Sequence, residues 1–212
     1  STSGTTSPPV AQTMRNEIPE IEVAARVFNP PGVDLNLIKY QDKIFYEKNG
    51  LIADSSIFDI FTYSFLEGVA SKALNRPNTI VISDQLAEKL FSNESALGKV
   101  IAVSQGQGFV DYQITGVFEE QKQSHLQANF FTSMLSDGWG TFVTKDPRMS
   151  EEWGGQNFIP AYLRLTNIHD KLAVEEKMNA VLQKYGAADM QALGLYKNFS
   201  LEPVADIYLK SD

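Results

Sequence analysis

The sequence predicts an α+β domain, and three observations carry that expectation. Apolar runs with strand character recur at 21–28 (IEVAARVF), 78–83 (NTIVIS), 99–120 and 161–166 (AYLRLT). Segments with helical stripes stand between them at 8–20, 83–92 and 168–186. The order reads α-β-β, a middle block, then β-α-β, with no repeat at a solenoid period.

Each element has a local reason. Pro9 suits the opening turn of the first helix, where its missing N–H is an orphan in any case. Val10 and Met14 share a face, and Pro19 ends the helix. Ile21–Phe28 reads as an alternating strand, and Asn29-Pro30-Pro31-Gly32 as a turn. Leu37–Gly50 reads as a strand-like run with Ile38, Tyr40, Ile44 and Tyr46 at period two, broken near Asp42. In the aromatic-rich stretch Ala53–Gly68, Asp54 or Ser55 would cap a short helix over Ile57, Phe58, Ile60 and Phe61. Those rings read as a buried cluster rather than a cofactor box.

Asn78–Ser83 is a continuous β-branched run, hence a buried strand, and Ser83 N-caps a helix through about Ser92 with Leu86, Leu90 and Phe91 on its apolar face. Lys99–Glu120 reads as a β-hairpin turning at Gln105–Gly108, with Ile101 and Val103 facing Val110, Tyr112 and Ile114. Gln121–Gly140 is loop and then a short helix or strand, and Thr141–Phe158 is mostly loop. Ile168–Gly186 is a helix with Val174, Met178, Val181, Leu182 and Tyr185 as its stripe and Gly186 at the C′ position. Phe199–Leu209 is a strand interrupted by Pro203, so an edge or a bend.

Composition narrows the function classes. The chain has 212 residues, 43% of them apolar and 11% aromatic, which suffices for a real core. A net charge of −8 argues against a nucleic-acid platform and an anionic-membrane anchor. The absence of cysteine excludes disulfides, thiolate metal sites and a Cys nucleophile, and is compatible with an oxidising compartment. No apolar run approaches the roughly 18–20 residues of a membrane span, and no signal-peptide core opens the chain. Residues 1–7 read as a flexible linker or a cut end of something longer.

The motif search returns scaffolding. Gly98-Lys99 comes after its helix instead of opening it, position 93 is Asn and position 100 is Val, so the phosphate-loop pattern fails. Gly106 and Gly108 form a hairpin tip. His125 and His169 belong to no metal-ligand spacing and have no convergent triad partners. The pairs Glu119-Glu120, Glu151-Glu152 and Glu175-Glu176 read as solvated surface. No catalytic, cofactor-binding or metal-ligating residue is assigned, and no cofactor is expected. The residues read as a non-catalytic α+β module. The alternatives are a secreted or periplasmic hydrolase, which needs a cleft with converging polar groups, and a solute-binding or adhesion module.

Ala53–Ile101 resembles the signature of the MacB-like periplasmic core domain of FtsX-like ABC transporter permeases. The matching residues are Asp54, Ser55, Phe58, Phe61, Phe65, Gly68, Ala73-Leu74, Ile80–Ile82, Ser83, Ala87, Phe91 and Leu97-Gly98-Lys99. Pro9-Val10, Ile18–Ile21 and Arg26 resemble the family's early helix, its end and the Arg beyond it. Tyr112–Phe118, Ser124-His125-Leu126 and Leu201–Ser211 resemble its later blocks, with Tyr208 in place of a His. The family usually has one more strand before the first helix, and the chain reads as beginning after it.

The resemblance implies a porter-like α/β sandwich made of 8–66 and 158–212, with a mixed α/β subdomain of 67–157 inserted. It also implies a place on the periplasmic side of the inner membrane, as part of a permease. The implied partners are the parent transmembrane helices, a cytoplasmic ATPase outside this chain, a second permease copy or homologue, and a periplasmic protein. Both ends would return to the membrane, so Ser7–Pro9 and Lys210–Asp212 are expected at one end of the fold.

Overall fold

The computed structural model describes residues 4–106, 108–120 and 125–204. Its strands are β1 (Thr5–Thr6), β2 (Ile21–Phe28), β3 (Asn36–Tyr40), β4 (Lys43–Glu47), β5 (Gly50–Ala53), β6 (Phe65–Gly68), β7 (Thr79–Ser83), β8 (Val100–Ser104), β9 (Phe109–Phe118), β10 (Phe130–Ser133) and β11 (Ile159–Leu165). Its helices are α1 (Val10–Glu17), α2 (Ile57–Ile60), α3 (Asp84–Phe91), α4 (Trp139–Lys145), α5 (Pro147–Ser150) and α6 (Lys171–Leu193). The strands join in the order β1-β11-β2-β5-β10-β7-β9-β8-β3-β4, with β6 beside the end of β9. The sheet is mixed: β5–β10 and β7–β9 are parallel, and the other pairings are antiparallel.

Two helical coverings define two ends. At one end α1 and α6 pack on β2, burying Val10, Met14, Ile21, Ala24, Val174, Met178 and Leu182 together. At the other, α3 packs on β7, β8 and β9 through Leu86, Leu90 and Phe91 against Ile80, Ile82, Ile101 and Ile114. The Ser83 hydroxyl accepts from Leu86 N–H at 3.2 Å, the cap its sequence position predicts. Between these ends lies an edge-to-face aromatic cluster in which Phe58 meets Tyr63, Phe65 and Phe131 at centroid distances of 5.7, 5.1 and 5.4 Å.

Several expectations are corrected. β2 is buried on both faces rather than alternating, because α1 covers one face and the aromatic cluster the other. Leu37–Gly50 is no single run but the β3–β4 hairpin, reversed at Gln41 (φ +51°) and Asp42, with β5 beginning at Gly50. The reversal changes which residues face inward: Ile38 pairs with Phe45 on the covered face, while Ile44 and Tyr46 stand exposed. The loop expected over 141–158 contains α4 and α5; Asp146 accepts from Arg148 N–H at 3.0 Å and Pro147 opens α5.

The last helix runs past Gly186 to Leu193 and ends on Gly194 in the left-handed region (φ +63°). Gly186 is buried inside it, where a Cβ would come within 3.1 Å of Trp153. The segment 199–204 forms no strand; Asn179 and Glu175 bind its backbone instead, through Phe199 N–H (2.8 Å) and Leu201 N–H (2.7 Å). The rest of that expected strand, with Lys210–Asp212, lies outside the described residues. Nor is all of 1–7 linker: Thr5 and Thr6 pair with Pro160 and Ile159, and buried Ser7 donates to Trp153 C=O at 3.0 Å.

Gly50 has a steric reason. It pairs with Phe130 across β5–β10, and a Cβ built on it would lie 2.1 Å from the Phe130 ring. Gly50→Ala should therefore cost about 1–3 kcal/mol in urea unfolding, whereas Gly4→Ala, with nothing within 4 Å, should be neutral.

Candidate functional site

The most connected polar group lies where α1, β2 and the end of β5 meet. Arg26 projects from β2, and Asp54 comes directly after β5. Their side chains are 10% and 12% exposed. The pair is bidentate: Arg26 Nε donates to Asp54 Oδ2 and Nη2 to Oδ1, both at 2.9 Å. The Arg26 backbone N–H adds a third bond to Oδ2 (2.9 Å), and Gln12 Nε2 a fourth (3.1 Å). Arg26 Nη1 donates to Pro8 C=O at 3.0 Å. One ion pair thus fastens the entry to α1, the centre of β2 and the exit of β5. Asp54 is not the expected cap of α2, since Ser56 holds the N-cap position and no side chain caps it.

Beside the pair is a cleft of about 260 Å³. It is lined by Gln12, Arg15, Asp54, Ser56 and Asp59 together with Leu74 and Ser133–Leu135. Two of its hydroxyls are committed to the framework. Ser56 Oγ donates to Ala24 C=O at 2.7 Å, and Ser133 Oγ to Leu74 C=O at 2.8 Å. Both hydroxyls thus donate to main-chain carbonyls and not to a base, as an activated nucleophile would.

The residues singled out in the sequence do not converge. Gly98 N–H donates to Ile114 C=O (2.8 Å) and Lys99 N–H to Ala96 C=O (3.1 Å), so neither amide is aimed outward; the Lys99 ammonium pairs with Glu94 at 2.6 Å. His169 is exposed beside its cap residue Asn167. Glu120 binds the Gln85 amide, Glu152 accepts from Gly154 and Gln156 N–H at 2.8 Å each, and Glu175 holds Leu201. Among the described residues no three or more His, Asp or Glu side chains gather as metal ligands.

His125 stacks on Phe61 and its Nε2 lies 2.8 Å from the Tyr162 hydroxyl. Burial lowers its pKa below the ordinary 6.5, and burial pushes the Tyr162 phenol up to about 12. The contact thus ties the loop after β9 to β11 with both groups neutral near pH 7. Sequence reasoning flagged Arg26 as a point of family resemblance, Asp54 as that and as a helix cap, and His125 as that and as a histidine without convergent partners; no spacing rule joins residues 26 and 54 before the sheet is built.

Solved structures with this architecture come from membrane transport proteins. A domain of a protein assigned as a permease from Porphyromonas gingivalis matches with a TM-score of 0.72 at 22% identity, over 99% of this chain and 88% of that one. The periplasmic region of MacB from Actinobacillus actinomycetemcomitans matches at 0.62 and 14%, over 96% and 81%. The extracellular domain of the noncanonic ABC-type transporter YknZ from Gram-positive bacteria matches at 0.58 and 11%, over 95% and 91%. These likenesses show the fold. Residues 1–181 match the MacB-like periplasmic core domain, and the chain belongs to that family, the periplasmic domains of MacB-like and FtsX-like ABC transporter permeases. No curated protein matches the sequence. Among the described residues no helix is long and apolar enough to cross a membrane.

Two outcomes are expected. Asp54→Ala leaves a buried guanidinium unpaired and should cost about 3–5 kcal/mol in urea unfolding, while the double change Arg26→Met/Asp54→Leu should recover much of that loss. Because the His125 pKa is lower folded than unfolded, the stability it contributes is complete above about pH 6.5 and is lost as pH falls through the folded value. Urea midpoints measured from pH 7.5 to 5 should decline below that point, and His125→Phe should flatten the decline.

Proposed function

We propose that this domain is a non-catalytic transmission element of its permease. Movement of the membrane helices enters through the terminal segments, reorients two subdomains by hinge or shear motion, and is delivered to an exported substrate or to a periplasmic partner protein. The parent transmembrane helices and a cytoplasmic ATPase supply the drive, and a second permease copy or homologue completes the assembly. The subdomains are a porter-like unit of 8–66 and 158–212 and an inserted unit of 67–157.

One observation carries the reading: the sheet has a narrow seam. β2 and β5 are joined by two residue pairs, Val27 with Ala53 and Phe28 with Ile52, whereas β2 with β11 has five and β7 with β9 has five. The seam lies between the ends covered by α1–α6 and by α3, and the Arg26–Asp54 pair ties the exit of β5 to β2 beside it. Strand pairing refines the division, because β3–β4 pairs with β8 and β5 with β10. Residues 36–53 would therefore travel with the inserted unit. The proposed location of both ends at one side concerns Ser7–Pro9 and Lys210–Asp212, the latter outside the described residues.

Gln12 of the porter-like unit and Leu135 of the inserted unit both line the cleft, and the chain has no cysteine to compete with introduced ones. In the assembled permease, with any cysteines elsewhere removed, Gln12→Cys/Leu135→Cys bridged by a short bifunctional thiol reagent should suppress transport severalfold relative to either single variant. Undiminished transport with the bridge formed would overturn the proposal.

A further inference from the structure

We propose that β4 is a self-pairing edge through which the domain contacts a second copy of itself. β4 ends the sheet, and among the described residues nothing pairs with its outer side. The two-residue loop Gln41–Asp42 makes Tyr40:Lys43 a hydrogen-bonded pair, so Phe45 and Glu47 also turn their amides toward β3. Ile44 and Tyr46 then turn N–H and C=O outward, at the open edge. Their side chains, 58% and 65% exposed, share the uncovered face of the sheet with Phe109 and Val100.

The strand KIFYE is complementary to itself when antiparallel. Centred on Phe45, the pairing sets Ile44 opposite Tyr46 of the other copy, twice, with four main-chain hydrogen bonds. On the covered face it sets Phe45 opposite Phe45 and, again twice, Lys43 opposite Glu47, in exchange for their present contacts with Leu90 C=O, Lys89 and Asn129. Opposite charges and aliphatic–aromatic pairs directly across a ladder are the favourable combinations. A shift by two residues in either direction loses both charge pairs.

The usual protection of an edge, a charged side chain turned to block approach, is absent here. Lys43 Nζ is drawn to Leu90 C=O at 2.8 Å and Glu47 to Lys89 at 3.1 Å, both on the α3 side. The outward positions are left to Ile44 and Tyr46. A two-fold pairing of this kind closes after two copies, so it makes a dimer and not a filament. The contact is small, so it suits domains held at about millimolar effective concentration, as two copies sharing one membrane assembly would be.

The 212-residue chain is sufficient for the test. Sedimentation velocity from about 10 μM to 1 mM, the effective-concentration range of tethered modules, should show dimer growing with concentration. Tyr46→Pro removes only an outward N–H and should weaken association about tenfold or more. Ile44→Lys provides the same test should the proline variant unfold by circular dichroism. In the symmetric pair the two Phe45 Cα atoms would be about 4.5 Å apart, so Phe45→Cys should oxidise to a disulfide-linked dimer. Leu172→Cys, 72% exposed on α6, should not. A chain that stays monomeric at about 1 mM overturns the proposal. So does a dimer that Tyr46→Pro and Ile44→Lys leave intact, or one that Phe45→Cys fails to capture.

Discussion

The Arg26–Asp54 pair is the constraint on which the rest of the arrangement depends. The two residues are 28 positions apart, and the β3–β4 hairpin intervenes. Bringing them together requires β5 to return alongside β2. The backbone confirms the same geometry, since Asp54 N–H donates to Arg26 C=O at 3.0 Å. Two charges at this depth lose most of their hydration, and a buried ion pair is a poor source of net stability compared with apolar groups of the same size. Its value lies in discrimination. A slip of β5 by one residue would leave a guanidinium and a carboxylate without partners, and that penalty is larger than anything the short β2–β5 contact could offset.

Dependence on one polar clamp reflects how few strand pairs join the two ends. Val27, Ala53 and Phe28, Ile52 are the paired residues at the seam. The apolar bridge beyond them is the buried cluster in which Ala25 and Val27 of β2 pack with Val81, Phe118 and Phe131, and Phe28 meets Trp139 edge to face at 6.4 Å. Edge-to-face rings tolerate small changes of angle with little loss, whereas a bidentate guanidinium–carboxylate pair does not. The seam therefore combines one directional lock with adaptable packing.

Much of the fold was legible because its elements are locally determined. Ser83, with Leu86, Leu90 and Phe91, announces α3 by cap and stripe, and the turn at Gln105–Gly108 announces the β8–β9 hairpin. What was not legible depends on partners distant in sequence. Gly186 looked like a helix end because glycine usually marks one, yet it lies in mid-helix where Trp153 packs against it. Asp54 looked like a cap because Asp commonly is one, yet Arg26 claims it. Four-residue β5 and β10 lie side by side with β7 in the centre of the sheet, too short to carry a period. The candidate site was less legible than the fold for the same reason: its geometry exists only once β2, β5 and α1 have met.

The distribution of polar groups bears on what kind of work the domain does. A catalytic site keeps buried polar groups poised, with a donor or acceptor unspent until substrate arrives. Around this cleft Ser56, Ser133, Gln12 and both members of the ion pair spend hydrogen bonds on backbone or on one another. Such a network resists deformation up to the point at which it breaks, and then offers a second arrangement only if the whole set exchanges partners. That is the property the proposed bistable linkage would need. The cleft beside the pair supplies the space for such an exchange, because Leu74 and Ser133–Leu135 of the proposed inserted unit share its lining with Gln12 and Asp54. Closing that space would bring Met134 and Leu135 toward α1 without disturbing the α3 core, so the deformation would be confined to the residues nearest the seam.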